Sequence, residues 1–316
     1  IPILSACRNA PPPAPSADPP GNPVFNDAAR FLAGLPGRPG GAYTPLESLP
    51  AWQSFSSEMN QVWARAEQRR VLPVRSFQQN ELPSPAPAAS FAFYPFSGPD
   101  VLYVHGFFPH ARTFVLAGLE PPGSIPEQRS YSNEELDALL HGVRKGSHSL
   151  LARSFFITAE MSRQLGGQLV DGVLPISLLL LARSGFTIDD VLSLSLSPAG
   201  RPAATPPPSP QGFEIRYRRP GDAAARKLFY FRTDLGSGLD QDPRFLSFLD
   251  SLGQPETLIK SASFLLHTRP FSRLRQHILA RSIRIVQDDT GVPFALLRDR
   301  GWRLRLFGAY SRPDPP

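Results

Sequence analysis

The stretch from residue 90 to residue 119 constrains the fold of this chain more than any other segment. An aromatic-rich run at 90–96 predicts a strand, a Ser-Gly-Pro-Asp turn follows it, and residues 101–108 predict a short helix. Residues 112–119 are almost continuously apolar, which is typical of a strand covered on both faces. A strand, a helix and a second strand so close together indicate a parallel crossover unit.

Longer helices are expected on both sides of this unit. Apolar side chains recur every three or four positions at 52–66, which indicates an amphipathic helix that Pro73 would end. Residues 131–190 are expected to be wholly helical, and a strand is expected after them. The first of these helices begins at a capping box formed by Ser132 and Glu135.

The second half of the chain predicts a mixture of strands and helices. Residues 213–218 and 227–232 alternate around a Pro-Gly-Asp turn, which indicates a β-hairpin. Further helices or helical turns are expected at 150–165, 174–183, 187–190, 242–252, 256–267 and 271–282. Further strands are expected at 192–196, 283–286 and 302–306.

These patterns predict an α/β fold, namely a single Rossmann-like domain with a mixed central sheet, a helical insertion and a β-hairpin. The globular domain is expected to span residues 46–316. Residues 8–45 are rich in proline and glycine, which predicts a tether ahead of the domain with one short helix at 26–35. Residues 1–7 are interpreted as a remnant of a signal segment.

The positive charge of the chain does not indicate nucleic-acid binding. The formal net charge is +6, yet only three of the 33 basic residues are lysines and the arginines are spread widely. Arginines on the outer face of a strand or helix usually form a solvated surface. A weaker alternative is attraction to anionic lipid or to a surface polysaccharide, which salt would screen. We therefore expect no nucleic-acid partner.

The turn after the first strand supplies the main candidate site. In a parallel sheet, ligands bind outside the carboxyl ends of the strands, where such turns lie. The alternative is a structural turn with a capping aspartate. The candidate pocket residues at this place are Tyr94, Ser97, Gly98, Asp100, His105 and Glu120.

A second candidate lies after the strand expected at 283–286, where Asp288 and Asp289 could bind a cation or act as acid and base. The same residues also fit an ordinary turn, which is the favoured interpretation. Lys260 falls in a helix expected to be apolar, where an exposed lysine is more common than a buried one. The histidines suggest structural roles, and we predict no metal and no cofactor.

The only cysteine lies in a Leu-Ser-Ala-Cys sequence that ends at Cys7. This sequence resembles the lipobox of bacterial lipoprotein precursors, in which the thiol is acylated and the leader is removed. The resemblance implies a lipid anchor on Cys7, a membrane as partner and a location outside the cytoplasm at the bacterial cell envelope. The alternative is an incidental free cysteine.

Two further resemblances concern the domain. The first crossover is similar to that of class I methyltransferases, although Pro99 stands where they have a glycine. Residues 93–122, 260–267 and 285–293 are similar to segments of predicted bacterial lipoproteins without an assigned activity. We therefore expect a lipid-anchored envelope protein that either binds a ligand or acts as an accessory protein. The ligand would be a small molecule or a polysaccharide. The alternatives are an enzyme that uses carboxylates at strand ends, either a hydrolase or a degenerate transferase, and a scaffold that docks partners through residues 302–310.

Overall fold

A computed structural model describes residues 21–307, apart from 83–88, 128–129, 149, 152–171, 206–209, 220 and 223. The side chains of Ala89 and Ser90 are also outside the description. Cys7, the first part of the predicted tether and most of the helix expected at 150–165 therefore lie outside the described residues.

In the part of the chain that the structure describes, the strands form one mixed sheet in the order β4-β3-β5-β6-β2-β1-β7-β8. Five neighbouring strands, β6, β2, β1, β7 and β8, run parallel, while β5, β3 and β4 continue the sheet with antiparallel pairing. The strands are β1 (Ala89–Pro95), β2 (Thr113–Gly118), β3 (Thr187–Leu196), β4 (Pro202–Ala204), β5 (Gly212–Arg218), β6 (Arg226–Arg232), β7 (Gln254–Ile259) and β8 (Arg284–Gln287).

Helices cover both faces of this sheet. The longer helices are α1 (Pro23–Leu32), α3 (Pro50–Ala66), α4 (Leu72–Glu81), α6 (Asn133–His148), α7 (Val173–Arg183), α9 (Arg244–Leu252) and α10 (Ser272–Arg281). The short ones are α2 (Thr44–Glu47), α5 (Val101–Phe107), α8 (Gly238–Gln241) and α11 (Phe294–Asp299).

Strand β1 has an almost continuously apolar sequence because both of its faces are covered by helices. Ala92 and Tyr94 face the hydrophobic core that includes α1, α3, α5, α6 and α7. Phe91 and Phe93 face the second core, which includes α9, α10 and α11. Because successive side chains of a strand point to opposite faces, a strand between two helical layers needs apolar residues at every position.

The predicted Rossmann-like α/β fold is confirmed, with one mixed sheet, a helical insertion between β2 and β3, and the β5–β6 hairpin. The predicted crossover unit corresponds to β1, α5 and β2, whose two strands pair in parallel. The capping box is also present: the Ser132 backbone N–H donates to Glu135 Oε2 at 2.9 Å, and the Glu135 N–H donates to Ser132 Oγ at 3.2 Å.

Several predicted elements were wrong. Pro73 does not end the helical stretch, because a π-helical turn at Glu67–Val71 leads into α4 and the proline lies in the first turn of that helix, where its missing N–H needs no partner. The helix expected at 256–267 is strand β7 followed by a 3-10 turn. The turn expected at 187–190 belongs to β3. No strand occurs at 302–306.

The described part of the predicted tether, residues 21–45, is packed into the domain. Helix α1 begins after Asn22, whose side chain accepts from the Val24 N–H at 3.0 Å. Phe31 and Leu32 are fully buried in the first core, and Tyr43 stacks on Phe31 with 4.6 Å between the ring centroids. The short helix expected at 26–35 is present as α1 (Pro23–Leu32). Because this helix is buried in the domain, the prediction of a tether was wrong for these residues.

Candidate functional site

The candidate site lies where the direction of the sheet connections reverses. From β1 the chain crosses through α5 to β2 on one side, whereas β7 lies on the other side of β1 and connects through α10 to β8. The carboxyl ends of β1 and β7 therefore meet at a topological switch point, which is where open α/β sheets bind ligands. We call the residues that follow β1 and β7 here the switch-point site.

A buried hydrogen-bonded network joins the two strands at this point. Tyr94 Oη donates to Asp100 Oδ2 at 3.1 Å and lies 2.9 Å from Ser261 Oγ. Because a phenol has a single proton, Ser261 donates to Tyr94 in this arrangement. Asp100 Oδ1 also accepts the N–H of Tyr103 at 3.3 Å and so caps helix α5. The carboxylate of Asp100 is completely buried.

Lys260 is the cation of this network. Its Nζ lies 3.8 Å from Asp100 Oδ2 and 3.9 Å from the ring centroid of Tyr103. The Lys260 side chain is only 19% exposed, so the expectation of an exposed lysine was wrong. Burial raises the pKa of Asp100 above its ordinary value, and the charge of Lys260 opposes that rise. The site therefore holds a carboxyl group that is easier to protonate than a surface aspartate.

The backbone around the network is strained. Among the described residues, Phe96 and Ala262 are the only ones other than glycine with a positive φ, at 59° and 47°. Phe96 follows β1 and Ala262 follows β7, so one strained residue lies in each loop of the switch-point site. Strain of this kind persists where the surrounding structure holds it in place, and it concentrates at binding and catalytic sites.

Ser97 and Gly98 complete the loop after β1. The Ser97 N–H donates to the Ala117 carbonyl of β2 at 3.0 Å, but Ser97 Oγ has no hydrogen-bond partner among the described residues although the residue is fully buried. A buried hydroxyl without a partner costs free energy, and it offers a ligand a donor and an acceptor. Gly98 has a φ of 51°, which glycine adopts without steric cost.

Glu120 lies at the carboxyl end of the neighbouring strand β2 and is 3% exposed. Tyr230 Oη lies 2.8 Å from the Glu120 carbonyl and 3.3 Å from Glu120 Oε2. The carboxylate lies over Gly118, where a Cβ atom would collide with Oε2. Glycine at this position therefore lets the acidic side chain fold back onto β2.

Asp288 and Asp289 follow β8 at the same edge of the sheet. Asp288 Oδ1 accepts from the Thr290 N–H at 3.1 Å, and Oδ2 accepts from Ser263 Oγ at 3.0 Å. Burial raises the pKa of Asp288 above its ordinary value. These bonds describe a side chain that organises its own turn and ties it to the loop after β7.

His105 does not belong to the switch-point site. It lies near the opposite end of α5, where its Nε2 is hydrogen-bonded to Tyr217 Oη and its ring stacks on Phe114 at 3.9 Å between centroids. Burial lowers its pKa well below the ordinary value. Phe114 is the second residue of β2 and Tyr217 the last but one of β5, so His105 lies towards the amino-terminal edge of the parallel strands. Its placement with Asp100 in one pocket was wrong.

Sequence analysis missed Ser261 and Tyr103, and it gave Lys260 no role. Lys260 and Ser261 follow directly after strand β7, which periodicity had assigned to a helix. The signal that could have found them is the β-branched pair Thr257 and Ile259 soon after Gly253, which favours a strand that ends just before the lysine.

Three further features of the described residues bear on function, namely metal clusters, membrane-spanning helices and surface grooves. In the described ranges, no group of three or more His, Cys, Asp or Glu side chains is placed to hold a metal ion. None of the described helices is both long and apolar enough to cross a membrane. A shallow groove of about 600 Å³ lies between α9 and α10, and Leu246, Asp250, Arg273 and His277 are among the residues that line it, away from the switch-point site.

The C-terminal surface suggested as a docking module is partly occupied by contacts within the chain. Trp302 and Leu304 pack against the second core. Phe307 stacks edge-on against Phe77 of α4 with 4.8 Å between centroids. Arg305 donates to the Glu81 carbonyl at 2.8 Å. Residues 308–310 lie outside the description.

Comparison of the chain with protein-family models, with curated proteins and with solved structures finds no match in any of the three.

Proposed function

We propose that this chain binds a small hydroxyl-bearing molecule at the switch-point site, which is the ligand-binding role expected from the sequence. The observation that carries the proposal is the coincidence of two strained loops with a buried Tyr94–Asp100–Lys260 network at the reversal of the sheet. A purely structural turn needs neither a buried ion pair nor two non-glycine residues at positive φ.

The polar groups at this edge suit hydroxyl groups. The unpartnered Ser97 Oγ can donate and accept, and the Asp100 and Glu120 carboxyl groups can accept from a hydroxyl. The aromatic ring of Tyr103 beside Lys260 offers an apolar wall. Sites with a few polar groups among aromatic walls are typical of pockets for small molecules.

Thermal-shift screening of the full chain against sugars and nucleosides tests this proposal. A ligand present at about 100 times its Kd adds about 2.7 kcal/mol to the free energy of unfolding. Asp100→Asn should abolish the shift, whereas Asp27→Asn should retain it. Asp27 is a matched control because it is also a buried aspartate, but it lies in α1 and pairs with Arg38. A shift that survives Asp100→Asn would place the ligand elsewhere.

A second candidate function is acid–base catalysis at the same site. It is favoured by the raised pKa of the buried Asp100 carboxyl and by the Lys260 ammonium 3.8 Å away, since catalytic acids and bases have shifted pKa values. If the chain is an enzyme, Asp100→Asn will lose turnover of the ligand identified by the screen while Lys260→Arg retains part of its binding. If the ligand is unchanged after prolonged incubation with the native chain, catalysis is ruled out and binding is the only function of the site.

We further propose that the domain is held at the bacterial cell envelope by acyl chains on Cys7. The support is the Leu-Ser-Ala-Cys sequence at 4–7 and the proline-rich segment that follows it. One acyl chain gives only marginal membrane attachment, so more than one is needed for a stable anchor. Cys7→Ser should move the protein from the membrane fraction to the soluble fraction, and unchanged fractionation would refute the anchor.

A further inference from the structure

The amino-terminal edge of the parallel strands carries a cluster of arginines that the switch-point site does not use. Arg219 follows β5, Arg226 begins β6 and Arg112 precedes β2, so the order of the sheet brings these three together. Val74 of α4 lies against Gly106, the neighbour of His105, which brings Arg75 to the same edge of the sheet. The charge of Arg75 there adds to the effect of burial and of Arg226 in lowering the pKa of Arg219. We call these four arginines the arginine cluster.

Two of the arginines lie beside one aromatic ring, and two donate hydrogen bonds to backbone oxygens. The Cζ atoms of Arg219 and Arg226 lie 4.6 and 5.9 Å from the centroid of Phe186. Arg226 donates to the Pro109 carbonyl at 2.8 Å, and Arg112 donates to the Ala224 carbonyl at 2.9 Å. Because these bonds fix the guanidinium groups of Arg226 and Arg112 in advance, those two side chains would lose little entropy when a ligand binds.

The negative charge near the cluster is too small to balance it. Asp222 accepts from Arg226 Nε at 3.3 Å and is the one carboxylate among the described residues that forms an ion pair with a member of the cluster. The Arg219 guanidinium donates no hydrogen bond to any described residue. Burial lowers the pKa of Arg219, and the like charges of Arg226 and Arg75 lower it further. An anion would relieve this repulsion.

The nearby histidine and tyrosine side chains add no negative charge to the cluster. Burial lowers the pKa of His105 well below its ordinary value, and raises that of Tyr217 well above it, so both are neutral near pH 7. They contribute the aromatic wall around Phe186, whose ring meets that of Tyr217 edge-on at 5.0 Å between centroids. The cluster is therefore cationic over the whole physiological range of pH.

We propose that Arg75, Arg112, Arg219 and Arg226 form a binding site for a phosphate group at the amino-terminal edge of the sheet. Arginine forks match the oxygens of a phosphate, and several arginines together favour a dianion over a carboxylate. The group can come from a soluble phosphate monoester or from the headgroup of an anionic lipid. The site is separate from the switch-point site, at the opposite ends of the parallel strands.

The test is isothermal titration of the full chain with inorganic phosphate and with glycerol phosphate at about 0.1 M salt, where surface charges interact over roughly 10 Å. Arg219→Gln should weaken phosphate binding by about tenfold or more, since a charge-assisted hydrogen bond contributes about that much to affinity. Arg75→Gln, on an exposed helical face, should also weaken it and cannot disturb the hairpin.

Arg218→Gln is the matched control. It removes the same charge from the adjacent position, but Arg218 is paired with Asp189 at 2.9 Å and lies outside the cluster. It should leave phosphate affinity within about twofold of the native value. Equal weakening by Arg218→Gln and Arg219→Gln would show a general effect of net charge and would overturn the proposal, as would an absence of phosphate binding by the native chain on both soluble and vesicle probes.

Vesicle flotation distinguishes the two sources of the phosphate group. The Cys7→Ser chain is mixed with phosphatidylglycerol vesicles and, separately, with phosphatidylcholine vesicles. Flotation with phosphatidylglycerol that Arg219→Gln abolishes and Arg218→Gln does not assigns a lipid headgroup. Titration with glycerol phosphate but no flotation assigns a soluble phosphate monoester. Flotation that both variants retain would contradict the arginine cluster as the binding site.

Discussion

At the scale of single residues, Ala262 in the loop after β7 has a backbone conformation that is unfavourable for alanine. Its φ is 47°, in the left-handed region. That region costs a non-glycine residue about 1–2 kcal/mol, whereas glycine adopts it freely but has a more flexible unfolded state. The loop therefore stores free energy beside Lys260 and Ser261, at the place where the proposed ligand would bind.

Ala262→Gly should raise the free energy of unfolding by about 0.5–1 kcal/mol, because relief of the strain exceeds the added entropy of the unfolded chain. Ala280→Gly is the matched control. It lies at an exposed position of the regular helix α10 and should lower the free energy by about 1 kcal/mol. Urea denaturation measures both, and equal losses in the two variants would contradict a left-handed Ala262.

Asp100 should make the stability of the protein fall as pH rises. Burial raises the pKa of its carboxyl above the ordinary value of 3.8. Between 3.8 and the raised pKa, the folded state binds more protons than the unfolded state, so the free energy of unfolding declines through that window. Asp100→Asn removes this titration and should flatten the decline.

Urea denaturation from about pH 4 to about pH 7 measures this difference. Burial also raises the pKa of Asp288, but Asp288 is present in both proteins, so its contribution cancels when the two curves are subtracted. The difference in the free energy of unfolding should change with pH only between 3.8 and the raised pKa of Asp100. A flat difference curve would mean that the carboxyl of Asp100 titrates at its ordinary value.

At the scale of elements, the capping box of α6 gives a direct test of a sequence-based prediction. Ser132→Ala removes the oxygen that accepts the Glu135 N–H and should lower the free energy of unfolding by about 1 kcal/mol. Ser57→Ala, at an exposed position within α3, should change it by less than about 0.5 kcal/mol. Chemical denaturation compares the two, and indistinguishable values would remove the box as a determinant of α6.

Elements with strong local signals could be predicted, and elements that depend on distant packing could not. The alternation of β5 and β6 and the apolar run of β2 identify strands without knowledge of their neighbours. Residues 256–267 mix apolar and small residues, so periodicity suggests a helix until the pairing with β1 fixes β7 as a strand. Pairing between strands far apart in sequence overrides local preference.

The candidate site could be predicted only in part for the same reason. Asp100 and Glu120 follow strands that the sequence identifies, so their place at the edge of the sheet could be inferred. Lys260 joins Asp100 only because β7 pairs with β1 on the side away from β2. His105 shares a short helix with Asp100, yet the length of that helix carries it towards the opposite edge.

At the scale of the whole molecule, the hydrogen bonds that tie α1 to its neighbours show that the domain includes this helix. Asn26 of α1 accepts the Ile188 N–H at 2.6 Å and donates to the Ile188 carbonyl at 3.0 Å, which ties the helix to β3. Arg183 at the end of α7 donates to the Ala33 carbonyl at 2.6 Å. Helix α1 therefore closes the first core between α7 and β3 rather than lying outside it.

Removal of residues 1–45 should abolish cooperative folding, whereas removal of residues 1–20 should preserve it. Burial of a Phe or Leu side chain contributes about 1.5–3 kcal/mol, and the longer deletion removes Phe31, Leu32 and Tyr43 from the core. It also exposes the apolar face of α7, so the total loss is of the same order as the roughly 5–15 kcal/mol that typically stabilises a domain. Thermal melts followed by circular dichroism compare the fragments. A sharp transition in fragment 46–316 at the temperature seen for fragment 21–316 would mean that α1 is an accessory segment after all.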